Sequence, residues 1–334
     1  MKEYLNMYKN FIVDVEIRLD KFLSLKIDAS RNQIEQLIQK EFVKVDGKTT
    51  DKNGLKLKLN QEIEVFFPEP KTFDKKNSEF IKESLKDINI EIIYEDSDIL
   101  IINKPRGLTV HDAPSVKDAT LVDWLKLQNI SLSTISGDER HGIVHRLDKG
   151  TSGILIVAKN NEAHIELSKQ LEKREAGRYY LALIDLPLKD NIIVEEPIGR
   201  NPNNRLKMSI QKDGRYAKTS FCKLEVSNNS KYELIACKLS TGRTHQIRVH
   251  LNRLNRHILG DILYGFKGDF SIINGFFLHG FCLVFTHPRT KEKMSFTAKL
   301  PKDMQDFIDT NFDKERIYEK IETSSLFSFF NFNN

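Results

Sequence analysis

Hydrophobic positions near the start of the chain predict a small unit of two helices and a few short strands. Two sets of apolar residues have the i, i+3, i+4 spacing of one helical face: Leu19, Phe22 and Leu23, and Ile34, Leu37 and Ile38. Residues 42–45 and 63–66 are short β-branched and aromatic runs, and a turn at Asp46 and Gly47 follows the first of them. The pattern therefore predicts a small α/β unit over residues 16–67.

Strand-like runs dominate the chain from residue 88 onward. Apolar runs at 99–102, 154–158 and 179–184 are rich in β-branched and aromatic residues, which is typical of buried strands. Helical spacing is rarer and recurs around Leu121 and Leu167. Because the helices do not alternate regularly with the strands, the pattern predicts an α+β domain with a mixed, largely antiparallel sheet flanked by helices.

Local composition divides the chain into four parts. Residues 68–87 hold two prolines and five lysines, which is typical of a linker between the small unit and the larger domain. We expect the larger domain to cover residues 88–312. The Phe-rich segment 313–334 is expected to be a C-terminal tail that is either disordered or packed on the core.

Overall composition narrows the class of protein. A chain of 334 residues exceeds the usual size of one hydrophobic core, so two domains are expected. A formal net charge of +5 is compatible with a polyanionic partner but does not identify one. The three cysteines, Cys222, Cys237 and Cys282, are widely spaced, which favours a reducing compartment over a disulfide framework. With no apolar run long enough for a membrane span, we expect a cytoplasmic protein.

The densest polar stretch lies at residues 140–159, R-H-G-I-V-H-R-L-D-K-G-T-S-G-I-L-I-V-A-K. It places ionisable residues in a glycine-containing loop before a predicted strand, an arrangement typical of catalytic sites. Asp148 lies two residues from Arg146 and beside Lys149. A carboxylate held among cations can act as a nucleophile, a base or a metal ligand. The alternative is an aspartate that caps a turn or pairs with Arg146 on the surface.

Several common kinds of site do not fit this stretch. The histidine pairs, His141 with His145 and His245 with His250, lack the glutamate of H-E-x-x-H, so we expect no metal site. Residues 150–153 lack the G-K-[ST] of a phosphate loop, and the local G-T-S-G-I lacks the G-x-S-x-G frame of a serine nucleophile. What remains is a carboxylate combined with arginines and tyrosines from other parts of the chain.

Motifs in the larger domain, taken in order, resemble the RluA-type family of pseudouridine synthases. They are N-K-P-R-G-L-T-V-H at 103–111, H-R-L-D at 145–148, Y-L-A-L at 180–183, P-I-G-R at 197–200, K-M at 207–208, G-R-T-H-Q-I-R-V-H-L at 242–251, L-G-D-I-L-Y-G at 259–265 and H-P-R-T at 287–290. The resemblance runs over roughly residues 88–305, which makes residues 88–312 the expected catalytic domain. It implies isomerisation of uridine within RNA: the N1–C1′ bond is cut, the base turns, and C5 joins C1′. It also implies that no cofactor and no metal are needed.

The catalytic residues of that family fall on Asp148, Tyr180 and Arg248. The resemblance implies that Asp148 is the nucleophile, and it leaves open whether the sugar or the base is attacked. Tyr180 is expected to stack on the uracil or relay a proton, although Tyr179 beside it leaves the register open by one residue. Arg248 is expected to pair bidentately with Asp148 and hold it in place.

Four more residues of the larger domain are expected at the site. Arg146 is expected to contact RNA and to help fill the space left by a flipped nucleotide. Leu278 matches an apolar residue that closes the pocket. We expect Arg243 and His245 to bind RNA, with a role as a base as the alternative for the histidine.

The N-terminal unit resembles the S4-type RNA-binding domain. The similar segments are R-L-D-K-F-L, S-R-N-Q-I-E-Q-L-I-Q and V-K-V-D-G-K, within residues 16–66. The resemblance implies a basic face for structured RNA, and we expect it to include Arg18, Lys21, Arg31 and Lys44; an ordinary solvated face is the alternative. With this domain in front, the chain looks like the subgroup that modifies large-subunit ribosomal RNA. We therefore expect a cytoplasmic, monomeric pseudouridine synthase acting on 23S ribosomal RNA, with no membrane partner.

Two other functions remain compatible with parts of the sequence. A catalytically silent RNA-binding protein, acting in ribosome assembly, could use the same two domains. A metal-dependent hydrolase could be built on the histidines. The intact set of Asp148, Tyr180 and Arg248 favours the synthase, because a binding protein does not need a carboxylate among arginines.

Overall fold

The structure is a computed structural model, and it describes residues 8–27, 29, 31–67, 78–111, 118–135, 141–268, 270, 273 and 275–331. The N-terminal unit contains four strands and two helices. They are β1 (Tyr8–Ile12), α1 (Leu19–Lys26), α2 (Arg31–Gln39), β2 (Val43–Val45), β3 (Lys48–Thr49) and β4 (Glu62–Phe66). The strands form an antiparallel sheet in the order β1-β4-β2-β3.

The apolar faces read from the sequence form the core of this unit. Leu19, Phe22 and Leu23 of α1 are fully buried against Ile34 and Ile38 of α2. Strand β1, in contrast, was not predicted and lies before the expected start at residue 16. Its side chains are mostly exposed, so it carries little hydrophobic signal, and it is held by pairing with β4.

The expected linker is partly helical. Residues 68–77 lie outside the described residues, and α3 (Ser78–Leu85) follows them. Leu85 at the end of α3 is buried in the core of the larger domain. The helix thus belongs structurally to the larger domain.

The larger domain is an α+β structure built on one mixed sheet. Its first elements are β5 (Glu91–Glu95), β6 (Ile99–Lys104), α4 (Leu121–Leu127), β7 (Ser152–Ala158), α5 (Asn161–Glu172), β8 (Gly177–Ile184), β9 (Ile192–Glu195), β10 (Ile198–Arg200), β11 (Met208–Ile210), β12 (Lys218–Val226) and β13 (Glu233–Leu239). They are followed by α6 (Gln246–Arg253), a 3-10 helix (Ile262–Tyr264), β14 (Leu278–Thr286), β15 (Lys293–Thr297), α7 (Lys302–Asn311), α8 (Lys314–Ile321) and α9 (Thr323–Ser328).

The sheet has nine strands in the order β5-β6-β7-β14-β8-β13-β12-β9, with β15 paired to β14. Among the pairings in the described residues, β7 and β14 run parallel and their neighbours pair antiparallel. Strands β10 and β11 form a separate hairpin. The predicted fold class, a small N-terminal domain and a larger domain with a mixed, largely antiparallel sheet, is confirmed.

Side-chain caps mark the starts of α4 and α5. Thr120 and Asp123 form a capping box at the start of α4, and the Asn160 side chain accepts a hydrogen bond from the Ala163 N–H at the start of α5. A glycine often follows the end of a helix, which makes Gly177 the residue that the sequence predicts as the stop of α5, but this prediction is wrong because Gly177 is the first residue of β8. The left-handed residue after α5 is Arg174, with φ of 63°.

The C-terminal segment packs on the core. Helices α8 and α9 bury Ile317, Ile321 and Leu326 in a cluster that also contains residues of β8 and β14. Phe327 contacts the ring of Tyr179, with 4.8 Å between ring centroids. Of the two alternatives for the tail, the structure therefore shows docking. Within the described ranges, no helix combines the length and the apolar composition needed to cross a membrane.

Candidate active site

The Asp148 loop leads directly into β7, in the middle of the sheet. Leu147 is buried in the core, and the Asp148 carbonyl accepts a hydrogen bond of 3.0 Å from the Thr151 N–H. A Cβ at Gly153, where φ is 119°, would lie 2.2 Å from the Gly280 carbonyl oxygen. The close approach of β7 to β14 thus requires glycine at this position and fixes the loop that carries Asp148.

Arg248 on α6 donates a hydrogen bond of 3.2 Å from Nη1 to Oδ2 of Asp148. The expected bidentate pairing with Asp148 is wrong, because Asp261 takes that role. Arg248 Nε and Nη2 donate to the two carboxylate oxygens of Asp261 at 2.7 and 2.8 Å. Asp261 is therefore the anchor that leaves Nη1 free to reach Asp148.

Two aromatic rings contact the same guanidinium. Its carbon lies 4.7 Å from the ring centroid of Tyr264 and 4.4 Å from that of Phe276. Burial alone would lower the pKa of Arg248, but Asp261 and then Asp148 outweigh it, and the pKa stands above its ordinary value. The cation that faces Asp148 is thus held rigidly and stays charged.

His245 lies just before α6, in a left-handed conformation with φ of 57°. Its Nδ1 lies 2.8 Å from the Tyr264 hydroxyl, and its Nε2 lies 3.9 Å from Asp148 Oδ2. Burial lowers the pKa of His245, and Asp148 opposes that effect. At neutral pH the imidazole is therefore mainly neutral and reaches the same carboxylate as Arg248.

Tyr180 and Tyr179 point to opposite faces of β8. Tyr180 lines the cavity beside Asp148, whereas Tyr179 packs against the C-terminal Phe327. Burial, first of all, raises the pKa of Tyr180 to about 12. Its hydroxyl therefore keeps its proton at neutral pH.

The residues predicted for the site in the larger domain lie around one open cavity of about 700 Å³. All seven predicted site residues of this domain line it: Arg146, Asp148, Tyr180, Arg243, His245, Arg248 and Leu278. Arg146 is exposed at the cavity, while Leu278 is buried in its wall. This volume lies in the range of about 300–1,000 Å³ that small-molecule pockets occupy.

The residues expected to bind RNA in the N-terminal unit are not among those that line this cavity. Arg18 is half-exposed and donates from Nε and Nη2 to Asp20, at 3.0 and 2.8 Å. Lys44 pairs with Glu64 at 3.3 Å, and Lys21 is exposed. The side chain of Arg31 lies outside the described residues.

Sequence reasoning missed two buried cations at the site. Lys104 is fully buried, and its Nζ donates to the carbonyl oxygens of Pro105 and Leu108 at 2.8 and 2.9 Å. Burial lowers the pKa of Lys104 to about 7, and the charge of Asp148 opposes the shift. Arg178 lines the cavity two residues before Tyr180. The N-K-P motif and the alternation along β8 were signals that could have pointed to them.

The histidines singled out as possible metal ligands have other partners. His145 Nε2 accepts the Ile156 N–H at 3.1 Å, and His250 contacts the Thr219 hydroxyl. Among the described residues, Asp96, Asp98 and His287 are the group with metal-compatible spacing. Those side chains already bind one another or Arg289, which donates to Asp98 at 2.6 and 2.7 Å, so they form a structural network.

Comparisons with known proteins agree with this arrangement. Residues 98–253 match the RNA pseudouridylate synthase family, and residues 17–63 match the S4 domain. An uncharacterized RNA pseudouridine synthase of Helicobacter pylori strain J99 is 45% identical over 330 residues, which cover 96% of this chain and 98% of the relative. The chain belongs to the RluA-type RNA pseudouridine synthases. The enzyme is thus an isomerase that binds RNA through an N-terminal S4 domain.

A second relative and a solved structure are also similar to the synthase. The uncharacterized RNA pseudouridine synthase YlyB of Bacillus subtilis is 40% identical over 294 residues, covering 87% of this chain and 93% of the relative. Among solved structures, human RNA pseudouridylate synthase domain containing 1 aligns with a TM-score of 0.51 and 26% identity. That alignment covers 64% of this chain and 84% of the human one.

Proposed function

We propose that Asp148 is the nucleophile of the synthase and that the substrate is a uridine in 23S ribosomal RNA. The observation that carries the catalytic part is the 3.2 Å hydrogen bond from Arg248 to Asp148 in a cavity that also contains Tyr180. A positioned carboxylate with one oxygen bound by arginine keeps its other oxygen available for attack. Its target is a carbon of the nucleotide, in the sugar or in the base.

The reaction is balanced without any further reactant. The N1–C1′ bond breaks, the base turns in the cavity, and the C5–C1′ bond forms. The proton on C5 is lost and N1 gains one, so the product has the same atoms as the substrate. The uridine reaches the cavity only if it leaves its base stack, which motivates the proposed role of Arg146 at the open rim.

Tyr180 is proposed to contact the uracil, and Tyr179 offers a matched control on the same strand. We expect Tyr180→Phe to lower the single-turnover rate about 100-fold, because in the proposed mechanism the hydroxyl holds or moves a proton. Tyr179→Phe should leave that rate within about twofold of the wild type, since Tyr179 faces away from the cavity. Equal rates for the two variants would remove the hydroxyl from the mechanism.

The ribosomal part of the proposal rests on the S4 domain, which suits structured RNA. The test is incubation of the purified synthase with transcripts of 23S ribosomal RNA and of a set of transfer RNAs, followed by mapping of pseudouridine at single-nucleotide resolution. We expect product at one or a few positions of the 23S transcript. Product only in transfer RNA would refute the proposed substrate while leaving the activity intact.

We also propose that the synthase is a cytoplasmic monomer. The three cysteines Cys222, Cys237 and Cys282 are free and buried, which suits a reducing compartment. Analytical ultracentrifugation and fractionation of the source cells test the two statements. A concentration-independent dimer, or recovery outside the cytoplasm, would contradict them.

A further inference from the structure

Four arginines line one part of the active-site cavity: Arg174, Arg178, Arg215 and Arg243. We call them the arginine cluster. Arg243 donates from Nε to the Tyr216 carbonyl at 2.8 Å, and the Arg174 guanidinium lies 4.8 Å from the Tyr216 ring. Besides burial, the charges of Arg215, Arg174 and Arg178 lower the pKa of Arg243, which shows that like charges are gathered here.

Arg178 is the most unusual member of the cluster. It is 8% exposed, and its buried Nε has no hydrogen-bond partner. Within the described part of the chain, no carboxylate forms an ion pair with it. Two other buried arginines of the domain do have such partners, since Arg248 binds Asp261 and Arg106 binds Asp303.

A buried cation without a counter-charge costs stability, so its presence needs a reason other than folding. The structure also reserves space for this guanidinium. A Cβ at Gly242 would lie 2.6 Å from Arg178 Nη1. The glycine before Arg243 thus lets the Arg178 side chain occupy the cavity wall.

The position of Arg178 relates it to the reacting nucleotide. Arg178 and Tyr180 are two residues apart on β8, so their side chains share one face with Cα atoms about 7 Å apart. An anion bound by Arg178 would therefore lie next to a nucleotide held between Tyr180 and Asp148. The nearby Glu195 is held by Tyr216 and Lys218, and although it interacts with the charge of Arg174, it forms no ion pair with Arg178 within the described residues.

We propose that Arg178, assisted by Arg243, binds the backbone phosphodiester next to the target uridine. The inference rests on the proposed function, because it takes the ligand to be the RNA substrate entering the same cavity. An internucleotide phosphate supplies the missing counter-charge, and its two free oxygens match the fork of the guanidinium. The arginine cluster is then the subsite that pulls the RNA backbone against the cavity wall while the base enters.

The test compares two fluorescent ten-nucleotide oligouridylates with 2′-O-methyl sugars, one with ordinary phosphates and one with uncharged methylphosphonate linkages. Binding is measured over a range of salt concentrations for the wild-type synthase, Arg178→Gln, Arg178→Lys and Arg316→Gln. Arg316 is the matched control, because it is an exposed arginine on α8 paired with Glu225, away from the cavity.

We expect Arg178→Gln to weaken binding of the charged probe about tenfold, the worth of one charge-assisted hydrogen bond. The slope of log Kd against log salt should fall by about 0.7, the loss of one phosphate contact on a single strand. Arg178→Lys should retain the slope and lose part of the affinity. Arg316→Gln should match the wild type, and the uncharged probe should bind wild type and Arg178→Gln equally.

Thermal unfolding separates this role from a structural one. Since Arg178→Gln removes a buried unpaired charge, its Tm should equal or exceed that of the wild type. A Tm several degrees lower together with unchanged binding would overturn the proposal, as would equal losses for charged and uncharged probes. The probes measure binding alone, whereas the proposed catalytic function is tested by mapping the product. A failure of the catalytic proposal can therefore be told apart from a failure of the phosphate-binding proposal.

Discussion

Arg248 contacts four residues of the candidate site that lie outside its own sequence motif. It reaches Asp148 through one nitrogen, binds Asp261 through two others and contacts the rings of Tyr264 and Phe276. Asp148 is one hundred residues away in sequence, whereas Asp261 is thirteen residues away. The nearer carboxylate takes the bidentate geometry, so we propose that Asp261 positions Arg248 for the reaction.

This positioning leads to a prediction for Asp261→Asn. The variant should lower the single-turnover rate about 100-fold, because a displacement of about 1 Å at a catalytic group has an effect of that size. RNA affinity should stay within about threefold of the wild type. Asp98→Asn is the control, since it also removes a bidentate carboxylate partner, here of Arg289, outside the cavity. A rate for Asp261→Asn as high as that of Asp98→Asn would contradict the positioning role.

At the scale of residues, the sequence predicted the site residues that lie within recognisable motifs and missed others. Asp148, Tyr180 and Arg248 lie in recognisable segments, and the structure brings them to one cavity. Arg178 and Lys104 were missed, because what sets them apart is burial without a carboxylate ion pair, and that depends on the packing of distant strands. The choice between Tyr179 and Tyr180 was open until the face of β8 was known.

At the scale of elements, the starts of α4 and α5 follow from a few neighbouring residues, whereas the stop at Gly177 does not, because that glycine belongs to β8. The capping box of α4 and the Asn160 cap of α5 need only local geometry. Elements defined by distant partners were not foreseen, as with β1, which pairs with β4 about fifty residues later. The packing of α8 and α9 likewise depends on apolar surface of the sheet. The Phe-rich composition alone did not decide whether this segment packs on the core.

The docking of α9 predicts a measurable contribution to stability. Leu326 is fully buried in the cluster behind the sheet, so Leu326→Ala should cost about 2–5 kcal/mol and lower the Tm of unfolding. Leu206→Ala is the control, because Leu206 is 74% exposed and should change stability by about 0.5 kcal/mol or less. Thermal unfolding of both variants checks this. Equal Tm values would show that the C-terminal helices do not dock in solution.

At the scale of the whole molecule, the chain joins an S4 domain to a larger domain that contains the cavity. The cavity of the larger domain holds the candidate catalytic residues, while Lys21 and Lys44 belong to the S4 domain and do not line it. The two units also touch, since Ile135 of the larger domain is buried in the N-terminal core cluster. We therefore expect RNA to contact both units, with the S4 domain contributing mainly to affinity and the cavity to the chemistry.

This division predicts how loss of the S4 domain affects the synthase. Removal of residues 1–67 should weaken binding to structured RNA about tenfold or more and reduce its salt dependence, because phosphate contacts are lost. The single-turnover rate at saturating RNA should change by less than about threefold. Filter binding and rapid-quench assays check the two parts.

Charge variants in the full chain provide a control that avoids truncation. Lys21→Gln combined with Lys44→Gln should weaken binding in the same direction, whereas Lys299→Gln combined with Lys302→Gln should not, although the charge change is equal. Lys299 and Lys302 are 84% and 82% exposed on the larger domain. Unchanged affinity in the truncated protein at moderate salt would contradict RNA binding by the S4 surface.

The most direct test of the account is a pseudouridine map of total RNA at single-nucleotide resolution. It compares cells that lack the gene with cells complemented by the wild type or by Asp148→Asn. Asparagine matches aspartate in shape but cannot act as the nucleophile, so fold and RNA binding should be nearly unchanged while turnover is lost. We predict sites in 23S ribosomal RNA that vanish without the gene, return with the wild type and stay absent with Asp148→Asn. Restoration of those sites by Asp148→Asn at a near wild-type level would contradict the assignment of Asp148 as the nucleophile.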